Sequence, residues 1–189
     1  MALKIILGCW DVFLVVWVIG IFFTKRTVQR ETVGRRLSYS LLFALSFGLL
    51  FRRVFPHRRH FFEEVVLPHS HALNAVSVVL AAVGLALALW ARGTLGKNWS
   101  GTVTFKENHE LIKRGPYAFV RHPIYTAMLG MYLGTALALG TSGGLIGFPI
   151  LFLSFWIKYR QEEALMLVHF GDQYRDYMKR VRALVPFVF

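Results

Sequence analysis

The stretch IYTAMLGMYLGTALALGTSGGLIGFPILFLSFWI, residues 124–157, decides the fold class because its 34 residues include no charged side chain. A helix needs about 20 apolar residues to cross the hydrocarbon layer of a bilayer, so this stretch is too long for one crossing and fits two. The segment GTSGG at residues 140–144 is its strongest helix-breaking cluster and predicts the turn between the two helices. The sequence therefore predicts a transmembrane helical hairpin.

Three more apolar stretches precede this hairpin and extend the prediction to the whole chain. The predicted spans are residues 3–23, 37–51, 72–90, 124–140 and 145–157. The first is interpreted as a retained helix, since it lacks the basic start and the small-residue cleavage site of a signal peptide. Only 17% of the residues are charged, against roughly 25% in ordinary soluble domains. We expect an all-α, multi-pass transmembrane helical bundle of about five spans, forming a single domain over residues 1–189.

The basic residues indicate both the partner and the orientation of this bundle. The formal net charge is +12, but the Lys and Arg residues form blocks between apolar stretches. This favours anionic lipid headgroups over nucleic acid as the counterpart. If the N-terminus faces outside, most of the 22 Lys and Arg residues lie on the cytosolic side, as the positive-inside rule requires. The link between the third and fourth spans and the C-terminal tail are then cytosolic.

The tail carries charged residues directly beyond the fifth span. Nothing breaks the helix between that span and Lys158, Glu162 and Glu163, so one helix is predicted to carry these charges out of the membrane. As a surface ion pair one turn apart, Lys158 and Glu162 would contribute only a few tenths of a kcal/mol. Charges this close to a span are, however, candidates for a functional site. Gly171 should end the helix, and Asp172 should begin an amphipathic helix lying on the cytosolic leaflet.

The link before the fourth span holds a second polar cluster, RHP, at residues 121–123. Pro123 suits the first turn of a helix, which places His122 beside free backbone N–H groups. Such a helix start favours an anionic ligand group such as a carboxylate. The alternative is that Arg121 extends to the lipid headgroups and His122 only caps the helix. Both interpretations stay open on these residues alone.

Four segments in this half of the chain match a known family. They are WARGTLGKNWS (90–100), KENHELIKRGPYAFVRHPIY (106–125), QEEALMLVHFGDQYRDYMKRV (161–181) and VPF (185–187). Together they resemble the isoprenylcysteine carboxyl methyltransferases and their prokaryotic homologues, with a more distant likeness to phospholipid N-methyltransferases. The resemblance implies that residues 90–187 form the catalytic portion. It also implies S-adenosylmethionine as cofactor, reached from the cytosol, and a lipophilic substrate that enters from the bilayer.

The resemblance also implies the residues of the site. The implied cofactor contacts, with Glu163 added as an alternative to its neighbour, are His109, Glu110, Leu111, Ile112, Tyr117, His122, Pro123, Ile124, Tyr125, Glu162 and Glu163. The family's basic contact to the substrate carboxylate corresponds most nearly to Lys158, with Arg160 as the other option, and Arg121 is the third candidate catalytic residue. A cofactor with both signs of charge needs such polar groups beside apolar walls. No metal site is expected, because the histidines at 57, 60, 69 and 71 lack cysteine partners and two of them adjoin arginines.

The leading hypothesis is an integral-membrane carboxyl methyltransferase that forms a methyl ester on an isoprenylcysteine-like or other lipophilic substrate. It would lie in the inner membrane of a prokaryote or in the endoplasmic reticulum of a eukaryote, with the site facing the cytosol. One alternative is methylation of a phospholipid amine, and another is a non-enzymatic scaffold or a transporter. Transporters usually place polar residues within several spans and carry repeats, whereas the polar groups here concentrate at one surface.

Overall fold

The computed structural model describes residues 1–51, 64–107 and 110–185, and over these residues the protein is mostly helical. The elements are α1 (Ala2–Ile21), β1 (Thr27–Arg30), α2 (Val33–Phe51), α3 (His71–Leu95), β2 (Thr104–Lys106), α4 (Pro123–Leu139), α5 (Ser142–Phe170) and α6 (Asp172–Arg180), with short 3-10 helices at Gly96–Asn98 and Gly115–Ala118. Each of the five predicted spans coincides with one of α1 to α5.

The helices differ in how well their length and composition meet the requirements for crossing a membrane. By length and composition, α1, α5 and the helical segment His71–Asn98 could each cross a membrane, while α4 is a shorter apolar helix. Helix α2 begins before the predicted span and carries Arg35 and Arg36 in its first turn. The arginines predicted to follow it, at positions 52–59, lie outside the described residues. The protein is therefore a helical bundle with three candidate spans among its described helices.

The predicted hairpin forms, with a tighter turn than the sequence suggested. Helix α4 ends at Gly140, whose φ of 63° is left-handed and suits glycine. Thr141 then caps α5 by accepting a hydrogen bond from the Gly144 N–H. Residues 142–144 are thus already helical and only two residues make the turn. Helix α5 runs unbroken to Phe170, as predicted, and Gly171 separates it from α6.

Close helix packing holds the bundle together. Helix α3 packs against α4 and α1, and α5 packs against α2 and α4. A Cβ atom on Gly134 of α4 would lie 2.5 Å from the Ser77 carbonyl oxygen of α3. Glycine therefore permits a backbone approach that any side chain would prevent.

Three connections meet at one end of the bundle. Strands β1 and β2 pair antiparallel, with Thr27 opposite Lys106, and so join the α1–α2 connection to the segment after α3. The structure adds this short pair to the predicted all-helical class, because strands of four and three residues are too short to give a periodic signal. Val120, just before α4, pairs with Arg182, just after α6. The candidate site residues lie at this end.

The tyrosine side of α6 is turned toward the protein. Tyr174 and Tyr177 are buried, and the Tyr177 hydroxyl donates a hydrogen bond to the Tyr117 carbonyl oxygen. The two tyrosines therefore pack on protein, and the position of α6 on the cytosolic leaflet stays a prediction. Amphipathic periodicity identifies the apolar side of a helix but does not say whether lipid or protein covers it.

Candidate active site

A cavity of about 450 Å³ lies where these connections meet the helices. Aromatic side chains of α1, α2, α4 and α5 line one part of it, among them Trp17, Phe43 and Phe155. The other part is lined by polar groups that include Glu110, His122 and Glu162. Its size and its mixture of apolar walls with few polar groups are those of a small-molecule site.

Glu163 is the centre of a buried charge cluster at the edge of this cavity. Its Oε1 atom accepts hydrogen bonds from Nε of Arg121 at 2.7 Å and from Nη2 at 2.7 Å. His122 Nε2 lies 3.1 Å from the same oxygen. The Glu163 side chain is only 4% exposed, so its charge is stabilised by two neighbours and not by water.

His122 lies between two carboxylates, which favour the protonated form of its ring. Its Nε2 faces Glu163, and its Nδ1 lies 3.5 Å from Oε2 of Glu162. Both ring nitrogens must donate to satisfy both carboxylates. Burial lowers the pKa of His122, but the hydrogen bonds and charges of Glu162 and Glu163 outweigh this effect and raise it overall.

Glu162 presents the second carboxylate to the cavity. Its Oε1 accepts a hydrogen bond from the Tyr125 hydroxyl at 2.6 Å, and its side chain keeps 22% exposure. Tyr117, which also lines the cavity, is a neutral donor because burial raises the pKa of its hydroxyl well above the ordinary value. The cavity thus holds an anionic acceptor and a neutral donor within one wall.

Lys158 supplies a cation at another point of the cavity wall. Its Nζ donates to the Gly101 carbonyl oxygen at 2.7 Å and lies 5.3 Å and 5.4 Å from the ring centroids of Tyr39 and Tyr125. Contacts of this kind are cation–π interactions, which hold an ammonium without neutralising it. An ammonium group has three N–H donors. Lys158 is therefore suited to bind an anion in the cavity.

The chain after α6 fixes the start of α4. The backbone N–H groups of Arg121 and His122 donate to the carbonyl oxygens of Arg182 and Ala183 at 2.8 and 2.9 Å. The Thr126 hydroxyl donates to the Leu184 carbonyl at 2.6 Å. Part of the helix start that was expected to face an anion is therefore occupied by the protein's own carbonyl groups. The His122 side chain still lines the cavity.

Comparison with known proteins assigns the family. The sequence model of the phospholipid methyltransferase family matches residues 73–173, which is more than half of the chain. The chain belongs to this family. The similarity to isoprenylcysteine carboxyl methyltransferases that the motifs suggested is also confirmed by individual relatives and by a solved structure.

The relatives carry related names. The protein-S-isoprenylcysteine O-methyltransferase of Mus musculus is 30% identical over 119 residues, which cover 61% of this chain and 42% of the mouse protein. The probable protein-S-isoprenylcysteine O-methyltransferase of Oryza sativa subsp. indica is 25% identical over 80% of this chain and 78% of its own length. The chain therefore spans less than half the length of the animal relatives it matches and most of the rice relative.

A solved structure shares the fold. It is described as the eukaryotic intramembrane Ras methyltransferase ICMT (isoprenylcysteine carboxyl methyltransferase) without a monobody. The TM-score is 0.53 at 25% sequence identity, and the match covers 80% of this chain and 53% of that one. The helices of this chain are therefore arranged in a similar way to those of a membrane methyltransferase of known structure.

The structure brings most of the predicted site residues to the cavity. Those that line it are Glu110, Leu111, Ile112, Tyr117, Arg121, His122, Pro123, Ile124, Tyr125, Lys158 and Glu162. The two clusters chosen from the sequence, one before α4 and one late in α5, are therefore in direct contact. His109 lies outside the described residues.

Two predicted residues have other positions than expected. Arg160 is exposed on α5 and does not line the cavity, because it lies two residues from both Lys158 and Glu162, on the other side of the helix. Glu163 does not line the cavity either, since its carboxylate is turned toward Arg121. Arg121 reaches the cavity wall, but its guanidinium binds Glu163 and the Val181 carbonyl oxygen. We interpret Arg121 and Glu163 as residues that position His122.

Sequence reasoning missed the wall formed by the first two helices. Trp17 stacks on Phe13 at 3.8 Å between ring centroids and meets Trp99 edge-on at 6.1 Å. The signal was present, since Trp10, Phe13 and Trp17 follow one side of α1 at helical spacing. Among the residues the structure describes, no group of three His, Cys, Asp or Glu side chains is arranged to hold a metal ion, and the histidines at 57 and 60 lie outside those residues.

Proposed function

We propose that this chain is an S-adenosylmethionine-dependent methyltransferase of the membrane that converts the carboxylate of an isoprenylcysteine-like lipophilic molecule into its methyl ester. The proposal depends on one observation: a single cavity has a charged wall around His122 and Glu162 and an aromatic wall around Trp17 and Phe43. The first wall fits a zwitterionic cofactor and the second fits a prenyl chain. Family membership supports methyl transfer, and the relatives named protein-S-isoprenylcysteine O-methyltransferase support this substrate.

The polar groups of the cavity match the charged groups of the cofactor. Its ammonium or its ribose hydroxyls would bind the carboxylate of Glu162, and its carboxylate would lie near the positive charge of His122, whose ring nitrogens themselves face Glu162 and Glu163. Tyr117, Leu111 and Ile112 provide the apolar surfaces that an adenine ring needs. When bound, the cofactor would supply an electrophilic methyl group attached to a sulfonium.

The substrate would be held by the remaining parts of the cavity. Its prenyl chain would pack against the aromatic wall. Each Å² of apolar surface removed from water there would contribute about 25 cal/mol to the free energy of binding. Its carboxylate would bind the ammonium of Lys158. A carboxylate is already ionised near neutral pH, so no residue has to remove a proton. The protein's task is then to align the carboxylate oxygen with the methyl carbon and to exclude water.

The site would face the cytosol, where the cofactor is made. The charge distribution supports this orientation, since most of the 22 Lys and Arg residues belong to segments at the site's end of the bundle. Substrate would reach the aromatic wall from the bilayer. The membrane would be the inner membrane in a prokaryote or the endoplasmic reticulum in a eukaryote.

The second candidate function is methylation of a phospholipid amine, which the name of the matching family favours. An amine nucleophile must be neutral to react, so it would need a proton acceptor such as Glu162. Lys158 argues against it, because an ammonium in the wall repels a cationic headgroup and attracts a carboxylate. Membranes containing the protein, supplied with methyl-labelled donor, separate the two functions. A methyl ester is lost in base, whereas an N-methyl group is retained.

Cofactor binding is tested by calorimetry on the purified protein in detergent. We expect Glu162→Gln to weaken S-adenosylmethionine binding at least tenfold, since the lost charge-assisted hydrogen bond contributes about 1.5–3 kcal/mol. The matched control is Arg160→Ala on the same helix, which should leave binding unchanged because Arg160 points away from the cavity. An unmodified protein that binds no cofactor at millimolar concentration would refute the proposal.

A further inference from the structure

Lys158, the proposed contact of the substrate carboxylate, is held in part by two groups from different parts of the chain. Its Nζ donates a hydrogen bond to the Gly101 carbonyl oxygen, before β2, at 2.7 Å. The same atom lies 5.3 Å from the ring centroid of Tyr39 in α2. Tyr39 and Gly101 both line the cavity. Because a lysine ammonium stands at the end of a flexible four-carbon chain, its position in the cavity depends on where these neighbours lie.

Glu31, the residue after β1, binds both of these parts of the chain. Its Oε1 atom accepts a hydrogen bond from the Tyr39 hydroxyl and another from the Val103 backbone N–H at 3.2 Å. The Glu31 backbone N–H donates in turn to the Val103 carbonyl oxygen at 3.2 Å. Tyr39 and Val103 are 5% and 3% exposed, so water competes little for these bonds. One carboxylate oxygen therefore connects α2 with the segment that carries the Gly101 carbonyl.

Glu31 acts from behind the cavity wall. The residues that line the cavity include Tyr39 and Gly101 but not Glu31, so a ligand would not touch its carboxylate. The negative charge of Glu31 also attracts the Lys158 ammonium, but Glu162 does so more strongly. What Glu31 alone provides is the connection between the two neighbours of Lys158.

We propose that Glu31 is a positioning residue for the substrate carboxylate, because its hydrogen bonds to Tyr39 and Val103 fix the place of the Lys158 ammonium in the cavity. The inference rests on the proposed function. It adds a residue that precedes the part of the chain matched by the family model, residues 73–173. Without the Glu31 side chain, Lys158 would keep its charge but lose its fixed surroundings. The binding of an anion should then weaken more than the binding of a neutral molecule.

The test compares two ligands that share a lipid chain and differ in charge, S-farnesyl-3-thiopropionate and the neutral alcohol 3-(farnesylthio)propan-1-ol. Binding is read from the fluorescence of Trp17 and Trp99, which line the cavity. We expect the unmodified protein to bind the carboxylate roughly tenfold or more tightly than the alcohol, as for a charge-assisted contact. Glu31→Ala should lower this preference roughly fivefold, the usual effect of losing a hydrogen bond. A general loosening of the protein would weaken both ligands alike and leave the preference unchanged.

Further variants separate the hydrogen bonds from the charge. Glu31→Gln keeps an acceptor oxygen for Tyr39 and Val103 but removes the charge, so it should keep the native preference within about twofold. Tyr39→Phe removes one of the two bonds and should lower the preference less than Glu31→Ala. The matched control is Glu107→Ala, which removes an exposed carboxylate after β2 that does not line the cavity and should leave the preference unchanged. In a methylation assay, Glu31→Ala should raise the KM of the carboxylate and leave kcat near the native value.

The outcomes distinguish this inference from the proposed function. A native preference in Glu31→Ala, or an equal loss in Glu31→Gln, would overturn the inference and leave the proposed methylation intact. A preference that falls in Glu31→Ala and returns in Glu31→Gln, without methyl ester formation by the unmodified protein, would support the inference and refute the proposed reaction. Equal binding of acid and alcohol by the unmodified protein would refute both. If melting curves show that Glu31→Ala is unfolded, an unchanged preference in Tyr39→Phe would overturn the inference.

Discussion

Replacing Glu163 by glutamine removes the one negative charge that Arg121 and His122 share behind the cavity. In the native protein a single oxygen of Glu163 accepts from two guanidinium nitrogens at 2.7 Å and lies 3.1 Å from the imidazolium. The side chains of Arg121 and Glu163 are 9% and 4% exposed, so water screens their interaction only weakly. Breaking a buried pair in this way costs about 3–5 kcal/mol, because the remaining charge loses its partner.

We expect Glu163→Gln to lower the melting temperature by roughly 6–20 °C, since about 1 kcal/mol corresponds to 2–4 °C for a protein of this size. The assay is thermal unfolding of the detergent-solubilised protein, followed by tryptophan fluorescence. A second variant, Arg121→Met, separates the pair from general disruption. If the two groups interact, the double variant should lose less stability than the sum of the single losses.

The matched control is Asp176→Asn on α6. Asp176 forms an ion pair with Lys179 at 2.9 Å, but both side chains are more than half exposed. Exposed pairs contribute little to stability, so this variant should melt at the native temperature. The reasoning would be refuted if Glu163→Gln melted within 2 °C of the native protein, or if the effects of Glu163→Gln and Arg121→Met were simply additive.

Three further changes test other parts of the structure. The pKa of His122 is raised by its two carboxylates, despite burial. The stability that its charge provides is therefore fully present below the unfolded pKa of 6.5 and is lost as pH rises through the higher folded pKa. His122→Gln should remove this dependence of the melting temperature on pH, which is checked by melting curves recorded across pH. Gly134→Ala should disrupt α3–α4 packing and lower the yield of folded protein, whereas Gly130→Ala should be tolerated, because its nearest neighbour would lie 3.7 Å away and not 2.5 Å. Lys158→Met should raise the KM for a carboxylate substrate at least tenfold, as expected for a lost charged contact, without changing cofactor affinity by calorimetry.

The features that depend on local chain chemistry could be predicted from the sequence. Pro123 marks where α4 begins. Lys158 is the first charged residue after the uncharged stretch and marks where α5 leaves the predicted span. These signals placed His122 and Glu162 on the same side of the membrane, and the family resemblance assigned both to one predicted site. The sequence could not divide the roles of Glu162 and Glu163. Adjacent residues on a helix differ in direction by about 100°, and only the position of Arg121 shows which carboxylate is turned away.

The features that depend on packing could not be predicted. The helical spacing of Trp10, Phe13 and Trp17 marks one side of α1. It does not say whether lipid or a cavity lies against that side, because both contacts require the same side chains. The partners of the Arg121 and His122 N–H groups are backbone carbonyl oxygens of residues 182 and 183, which any amino acid provides.

The contact between the start of α4 and residues 182–184 determines when the site can be completed during synthesis. The candidate spans in α1, α3 and α5 are all synthesised before these residues. The carbonyl groups that fix Arg121 and His122 become available only after α6 has been made and its last residues have left the exit tunnel. A nascent chain halted before residue 181 would therefore lack the carbonyl groups that bind the Arg121 and His122 N–H groups, so this contact is the last part of the site to form.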